Sequence, residues 1–125
     1  MGEDIKGKDE IDVLMKKLPE FDYSKALAYC AGSRELLSEI LKDYVGSKRA
    51  DVMELYFMDE DWENYRIEAH ALKSTSLTIG LNSLSDEAKG LEFAAKDGDI
   101  SYIENNHIKV MLHYKKVLMI MKEIF

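Results

Sequence analysis

From Trp62 to Ile79 the residues Trp62, Tyr65, Ala69, Leu72, Ser76 and Ile79 recur at alternating steps of three and four. No proline interrupts the run, and Gly80 closes it. Such spacing matches a 3.6-residue turn, not the two-residue period of a strand, and lays one seam against a core as in a helix bundle. At about 100° per residue, His70 falls on the flank opposite that seam. Lys73 and Ser74 lie one turn further along on the same side, and Leu77 two turns along. The stretch therefore specifies an imidazole held outward on a rigid helix, with a cation and small side chains beside it.

The same period organises the rest of the chain. Ile11, Leu14, Met15 and Leu18 form a short amphipathic stripe that stops at Pro19, the single proline, because a helix usually ends before proline. Asp22 suits the N-cap of a brief helix carrying Ala26, Leu27 and Tyr29, closed by Gly32. Ser33 caps the next, whose apolar face is Leu36, Leu37, Ile40, Leu41, Tyr44 and Val45. Val52, Met53, Leu55 and Tyr56 resume that pattern, so the stretch reads as one long helix kinked near Gly46. Asp59 to Asp61 supply the turn and cap before the His70 helix. Asn82 or Ser83 opens the following one, with Leu81, Leu84, Ala88, Leu91 and Ala95 as its seam and Gly98 as its stop. Asp99 caps the last helix, whose seam is Ile103, Val110, Tyr114, Val117, Met121 and Ile124.

No β-branched run or hairpin dipeptide between alternating segments supports a strand. The expected fold is all-α: an antiparallel up-down-up-down four-helix bundle, with one or two short N-terminal helices packed across one end. Residues 1–8 are polar with two glycines and read as a flexible tail or an expression remnant; residues 9–125 read as a single helical domain. A chain of 125 residues suits one core, and 46% apolar content argues against disorder. The formal net charge of −7 disfavours nucleic acid and anionic membranes as partners. The acidic start carries no secretory signal, and the apolar run Val117–Met121 is far too short to span a membrane. One cysteine, Cys30, excludes an intrachain disulfide and fits a reducing, cytoplasmic setting.

An imidazole with an ordinary pKa of about 6.5 is a neutral nucleophile near pH 7, and an ammonium one turn away can neutralise arriving phosphate oxygens. Taken alone, a surface histidine beside a lysine is more often plain solvated charge. The neighbourhood is more particular. His70-Ala71-Leu72-Lys73-Ser74-Thr75-Ser76, followed by Ile79-Gly80, resembles the signature of the histidine-containing phosphotransfer (HPt) domain. That family shows His, any residue, Leu, Lys, Gly, a small residue and Ser, then Gly ten positions after the His. Asp61-Trp62, Ala88, Leu91-Glu92 and Lys96-Asp97-Gly98-Asp99 resemble its neighbouring helices. So do Leu18-Pro19-Glu20-Phe21-Asp22 and Leu27-Ala28-Tyr29-Cys30, and the resemblance covers roughly residues 18–125. Ser74 departs from the pattern, standing where the family most often has Gly.

The resemblance implies a phosphorelay carrier. His70 would take a phosphoryl group from the aspartyl phosphate of one response-regulator receiver domain and pass it to another. Lys73 would neutralise phosphate charge, and Ser74 would leave room for docking. The receiver would supply Mg²⁺ and most of the catalytic machinery, so the domain binds no cofactor of its own and is no enzyme in its own right. Glu92 sits where the family often places a group that fixes the imidazole tautomer; a solvated helix acid is the competing reading. Ile67, Leu77 and Lys89 are candidates for the docking surface, each with a plain packing or surface-charge alternative. The segment from Tyr23 to Tyr29 is not placed by its sequence. The expected assembly is a monomer, excised from the C-terminus of a hybrid sensor kinase (and then tethered to the inner face of the membrane) or standing alone.

Of the remaining candidates, His107 lies on the seam of the last helix and reads as a satisfied core histidine, His113 as a surface residue, and Cys30 as a small buried one. The scattered His and Cys give no metal-binding spacing. Two other function classes stay open. One is a non-catalytic helical adaptor in which His70 is incidental. The other is a dimeric autokinase or phosphatase bundle, which would need an adjoining nucleotide-binding domain.

Overall fold

The computed structural model describes residues 9–125, and every regular element among them is a helix. In order they are α1 (Asp9–Lys17), α2 (Tyr23–Tyr29), α3 (Arg34–Gly46), α4 (Arg49–Met58), α5 (Trp62–Thr78), α6 (Asn82–Asp97) and α7 (Ile100–Lys122). The tail expected over residues 1–8 lies outside the described residues.

Among the described residues, four helix starts have side-chain caps. Asp22 accepts from the Lys25 amide at 3.1 Å, Ser33 from Leu36 at 3.1 Å, Asp61 from Asn64 at 3.3 Å and Asp99 from Tyr102 at 3.1 Å. Each bond satisfies one of the amides a helix start leaves without an intrahelical partner. α1 ends at Lys17, ahead of Pro19, burying Ile11 and Leu14 but leaving Met15 exposed.

Residues 33–58 are not one kinked helix. α3 stops at Gly46 and α4 begins at Arg49. The break is chemical: Ser47 is extended (ψ 144°), and its hydroxyl accepts from the Arg49 amide at 3.1 Å, opening a new helix instead of continuing the old one. Arg49 Nε then bonds Glu68 Oε1 at 3.2 Å, pinning the start of α4 to α5. Leu36 and Leu55, which the pattern assigns to the apolar face, are exposed.

α5 packs against α6 and α4, α6 against α7, and α7 also meets α1, α3 and α4. One core cluster gathers Leu37, Leu41, Met53, Tyr65, Leu72, Leu84, Leu91 and Tyr114. Burying each large apolar side chain contributes about 1.5–3 kcal/mol. Two polar links cross this core. Ser76, the hydroxyl in the α5 seam, meets Tyr44 Oη at 2.8 Å. Tyr65 Oη meets His107 Nδ1 at 2.7 Å, while His107 Nε2 meets Glu54 Oε1 at 2.7 Å. The His107 ring stacks on Phe57 with centroids 3.8 Å apart. Both of its nitrogens are thus partnered, one by buried Tyr65 and the other by Glu54 at the edge of the core. Cys30 is buried as well.

Gly80 sets the turn from α5 to α6. Its φ is +77°, and its carbonyl accepts from the Asp22 amide at 2.9 Å. A Cβ there would collide with the Asp22 backbone carbonyl, so both the dihedral and the close approach demand glycine. With only residues 79–81 in the turn, α5 and α6 run against each other, and the Ser85 hydroxyl donates to the Lys73 carbonyl at 2.8 Å. Among the described residues no helix is long and apolar enough to cross a membrane.

Candidate functional site

His70 projects from the outer flank of α5, and 57% of its side chain is exposed. Its Nδ1 lies 2.8 Å from Glu92 Oε2 on α6. Glu92 is no solvated helix acid: only 11% of its side chain is exposed. Its other oxygen, Oε1, sits 2.9 Å from Lys73 Nζ. One carboxylate therefore bridges the imidazole and the ammonium.

This bridge selects the tautomer of the neutral ring. Burial works to raise the Glu92 carboxyl, but the bonds from Lys73 and His70 outweigh it and hold the group below its ordinary value of 4.5. Near neutral pH Glu92 is ionised and can only accept. His70 Nδ1 must then be the donor, which places the lone pair of the neutral ring on Nε2. Among the described residues nothing bonds Nε2.

Lys73 is not the free outward cation that the spacing suggests. Its side chain is 24% exposed, its ammonium rests on Glu92, and it lies 5.8 Å from the centroid of the Phe93 ring. Ile67 and Ser74 are exposed beside His70 on α5, whereas Leu77 is half-buried. Lys89 is exposed on α6, its Nζ 5.5 Å from the Phe93 centroid. Phe93 is the residue that sequence reasoning missed. Half-exposed and flanked by two lysines, it gives the rim of the site an aromatic surface. Its signal was present, as a large apolar residue on the polar face of α6, opposite the Leu84–Ala88–Leu91 seam.

A cleft of about 350 Å³ opens between α3 and α5. Tyr44, Arg49, Ser74 and Thr78 line it, and His70 stands outside it. Tyr23 is engaged by Arg34, whose Nη1 donates to Tyr23 Oη at 2.9 Å, and Tyr29 is exposed; neither shares a bond or ring contact with His70. His113 corrects its reading as a surface residue. It is half-buried, with Nδ1 2.8 Å from Glu87 on α6 and Nε2 2.8 Å from Glu20 in the α1–α2 connection. Burial opposes its charging, yet the two carboxylates prevail and lift it above 6.5. Among the described residues no cluster of three His, Cys, Asp or Glu side chains is arranged to hold a metal ion. Comparisons with family models, curated proteins and solved structures found no match.

Proposed function

We propose that this chain is a phosphoryl carrier of the HPt kind, with His70 Nε2 as the atom that receives and gives up the phosphoryl group. In this reading α3 with α4, α5, α6 and α7 are the four arms of an up-down-up-down bundle, and α1 and α2 cross one end. One observation carries the reading. An exposed imidazole on a rigid helix has its Nδ1 held at 2.8 Å by a mostly buried carboxylate, while Nε2 has no partner among the described residues. A histidine held only for packing has both nitrogens satisfied, as His107 does.

The chemistry follows from that geometry. The Nε2 lone pair attacks the phosphorus of an aspartyl phosphate on a receiver domain. An N–P bond forms as the P–O bond to the aspartate breaks, and the aspartate leaves as carboxylate. The Nδ1 proton stays in its bond to Glu92, which stabilises the positive charge the ring acquires. Lys73 spends one of its three N–H donors on Glu92 and keeps two for phosphoryl oxygens. Transfer of this kind runs through a loose in-line transition state that needs positioning and charge neutralisation. The receiver supplies Mg²⁺ and the acceptor or donor aspartate, and the reverse reaction returns the phosphoryl group to a second receiver. Ile67, Ser74, Leu77, Lys89 and Phe93 surround the ring where a partner would close over it. Ser74, in place of glycine, adds one small hydroxyl there.

The test is transfer from a panel of phosphorylated receiver domains to the wild type and to His70→Gln. The reading expects label on the wild type only, stable to base and labile to acid. Equal labelling of His70→Gln would remove His70 from the reaction. A folded wild type that no receiver or small phosphodonor labels would leave the non-catalytic adaptor.

A further inference from the structure

We propose that the cleft between α6 and α7, on the far side of Phe93 from His70, takes an arginine side chain from the docking face of the partner receiver domain. The partner is the one the phosphoryl-carrier reading supplies, and the inference rests on that reading. The cleft holds about 300 Å³, and Gly90, Phe93, Asp97, Asp99 and Tyr102 line it. At about 100° per residue, Glu92, Lys89, Phe93, Asp97 and Gly90 follow one another around α6, from the side facing α5 to the side facing α7. Phe93 is therefore a ridge. Lys73 and Lys89 belong to the His70 side of it, their ammonium nitrogens 5.8 and 5.5 Å from the ring centroid. The acids belong to the other.

A missing side chain shapes the floor. The Tyr102 hydroxyl lies so close to Gly90 that a Cβ there would come within 2.5 Å of it. Gly90 stands inside α6, where glycine is otherwise unfavourable, so the close approach of Tyr102 is what the residue provides. Phe93 is 46% exposed and Tyr102 39%, and their two rings wall one opening. Asp97 and Asp99 are exposed at its end. Asp99 spends Oδ1 on the Tyr102 amide at 3.1 Å, and among the described residues no ion pair engages Asp97 or the second oxygen of Asp99. Aromatic walls beside unpaired carboxylates receive a cation with a flat face. A guanidinium stacks on a ring while its fork of donors reaches a carboxylate, and an ammonium has no such face. The cleft is continuous, across the Phe93 ridge, with the imidazole that a receiver has to cover, so the arginine arrives on that partner. Both acids being exposed, the contact adds a modest increment to docking. It lies away from Nε2, so it acts on how often the partner is bound and not on the transfer itself.

Two measurements on the full chain test it. N-acetylarginine methylamide, titrated into the millimolar range and followed by ¹H–¹⁵N NMR, should shift the Phe93, Asp97 and Tyr102 signals saturably, and N-acetylnorleucine methylamide should not. Asp97→Lys, which reverses an exposed charge, and Gly90→Ala, which pushes the Tyr102 hydroxyl off the floor, should both lose the shifts while keeping the wild-type circular dichroism. With a receiver that labels His70, Asp97→Lys should raise the half-saturating receiver concentration about tenfold, because repulsion replaces attraction, and change the rate at saturation little. The proposal is overturned by the absence of a saturable shift, by shifts that the norleucine probe matches, or by an Asp97→Lys protein that saturates at the wild-type receiver concentration. In that last case His70 is still labelled, and only the arginine contact fails. A wild type that binds the arginine probe but is labelled by no receiver marks failure of the carrier reading, which takes the receiver assignment with it.

Discussion

The Glu92 carboxylate serves two groups at once, and substitutions there separate its roles. Glu92→Gln keeps an oxygen that can accept from His70 Nδ1 but gives up the charge that holds Lys73. Glu92→Ala removes the acceptor altogether and lets the ring turn. Phosphoryl acceptance should therefore fall about 10- to 100-fold in the alanine variant, the worth of a charge-assisted bond of about 1.5–3 kcal/mol, and much less in the glutamine variant. Single-turnover transfer from one receiver measures both; equal losses would mean that Glu92 acts on Lys73 and not on the imidazole. His107 gives the contrasting case. Replacing it by leucine leaves Tyr65 Oη unpartnered in the core, takes from part-exposed Glu54 one of its two partners (Lys115 remains), and removes the ring stacked on Phe57. Stability in urea should drop by about 2–4 kcal/mol while phosphotransfer by the folded fraction is retained. At this scale the pairing of His70 with Lys73 was legible because helical geometry fixes which side chains share a flank, whereas Glu92, on another helix, was a candidate only through the family resemblance. The capture of Lys73 by Glu92 was not legible, because it depends on how α6 sits against α5. His113 was misread for the same reason, its two carboxylates coming from distant parts of the chain.

Helix boundaries were legible wherever a cap residue stands at the start, as at Asp22, Ser33, Asp61 and Asp99. The break between α3 and α4 was not. Gly46 drew attention as a weak point, whereas Ser47 ends the helix by turning its hydroxyl to the Arg49 amide. The α5–α6 turn yields a sharp prediction. Gly80→Ala forces a side chain into left-handed backbone and against the Asp22 carbonyl, so unfolding free energy should fall by at least about 2 kcal/mol. A loss within error would mean that the turn relaxes freely. His113 ties α7 to α6 and to the α1–α2 connection, and its charge makes that tie depend on pH. Because its folded value is raised above 6.5, the stabilisation is complete below that pH and is lost as pH rises through the higher value. The melting temperature of wild type should decline as pH rises above 6.5 more steeply than that of His113→Gln. Parallel curves would remove the clamp from the account.

At the scale of the molecule, the three-four periodicity and the near-absence of proline were enough to predict an all-helical chain, and every described element is helical. The pattern could not pair elements. Tyr44 meeting Ser76, or Asp22 meeting Gly80, comes from the packing of segments far apart in sequence. The exposed imidazole and the core that holds it are nonetheless one arrangement. α6, fixed along α5 by the Gly80 turn and by Ser85, carries Glu92 to the ring.

The most direct test of the central claim is the position of the phosphoryl group on the ring. The chain, charged by a receiver domain, would be examined by ³¹P and ¹⁵N-resolved NMR. The account predicts one phosphoryl group on His70 Nε2, with the Nδ1 proton retained in its bond to Glu92. Phosphorus on Nδ1, on another residue or nowhere in the folded chain would contradict it.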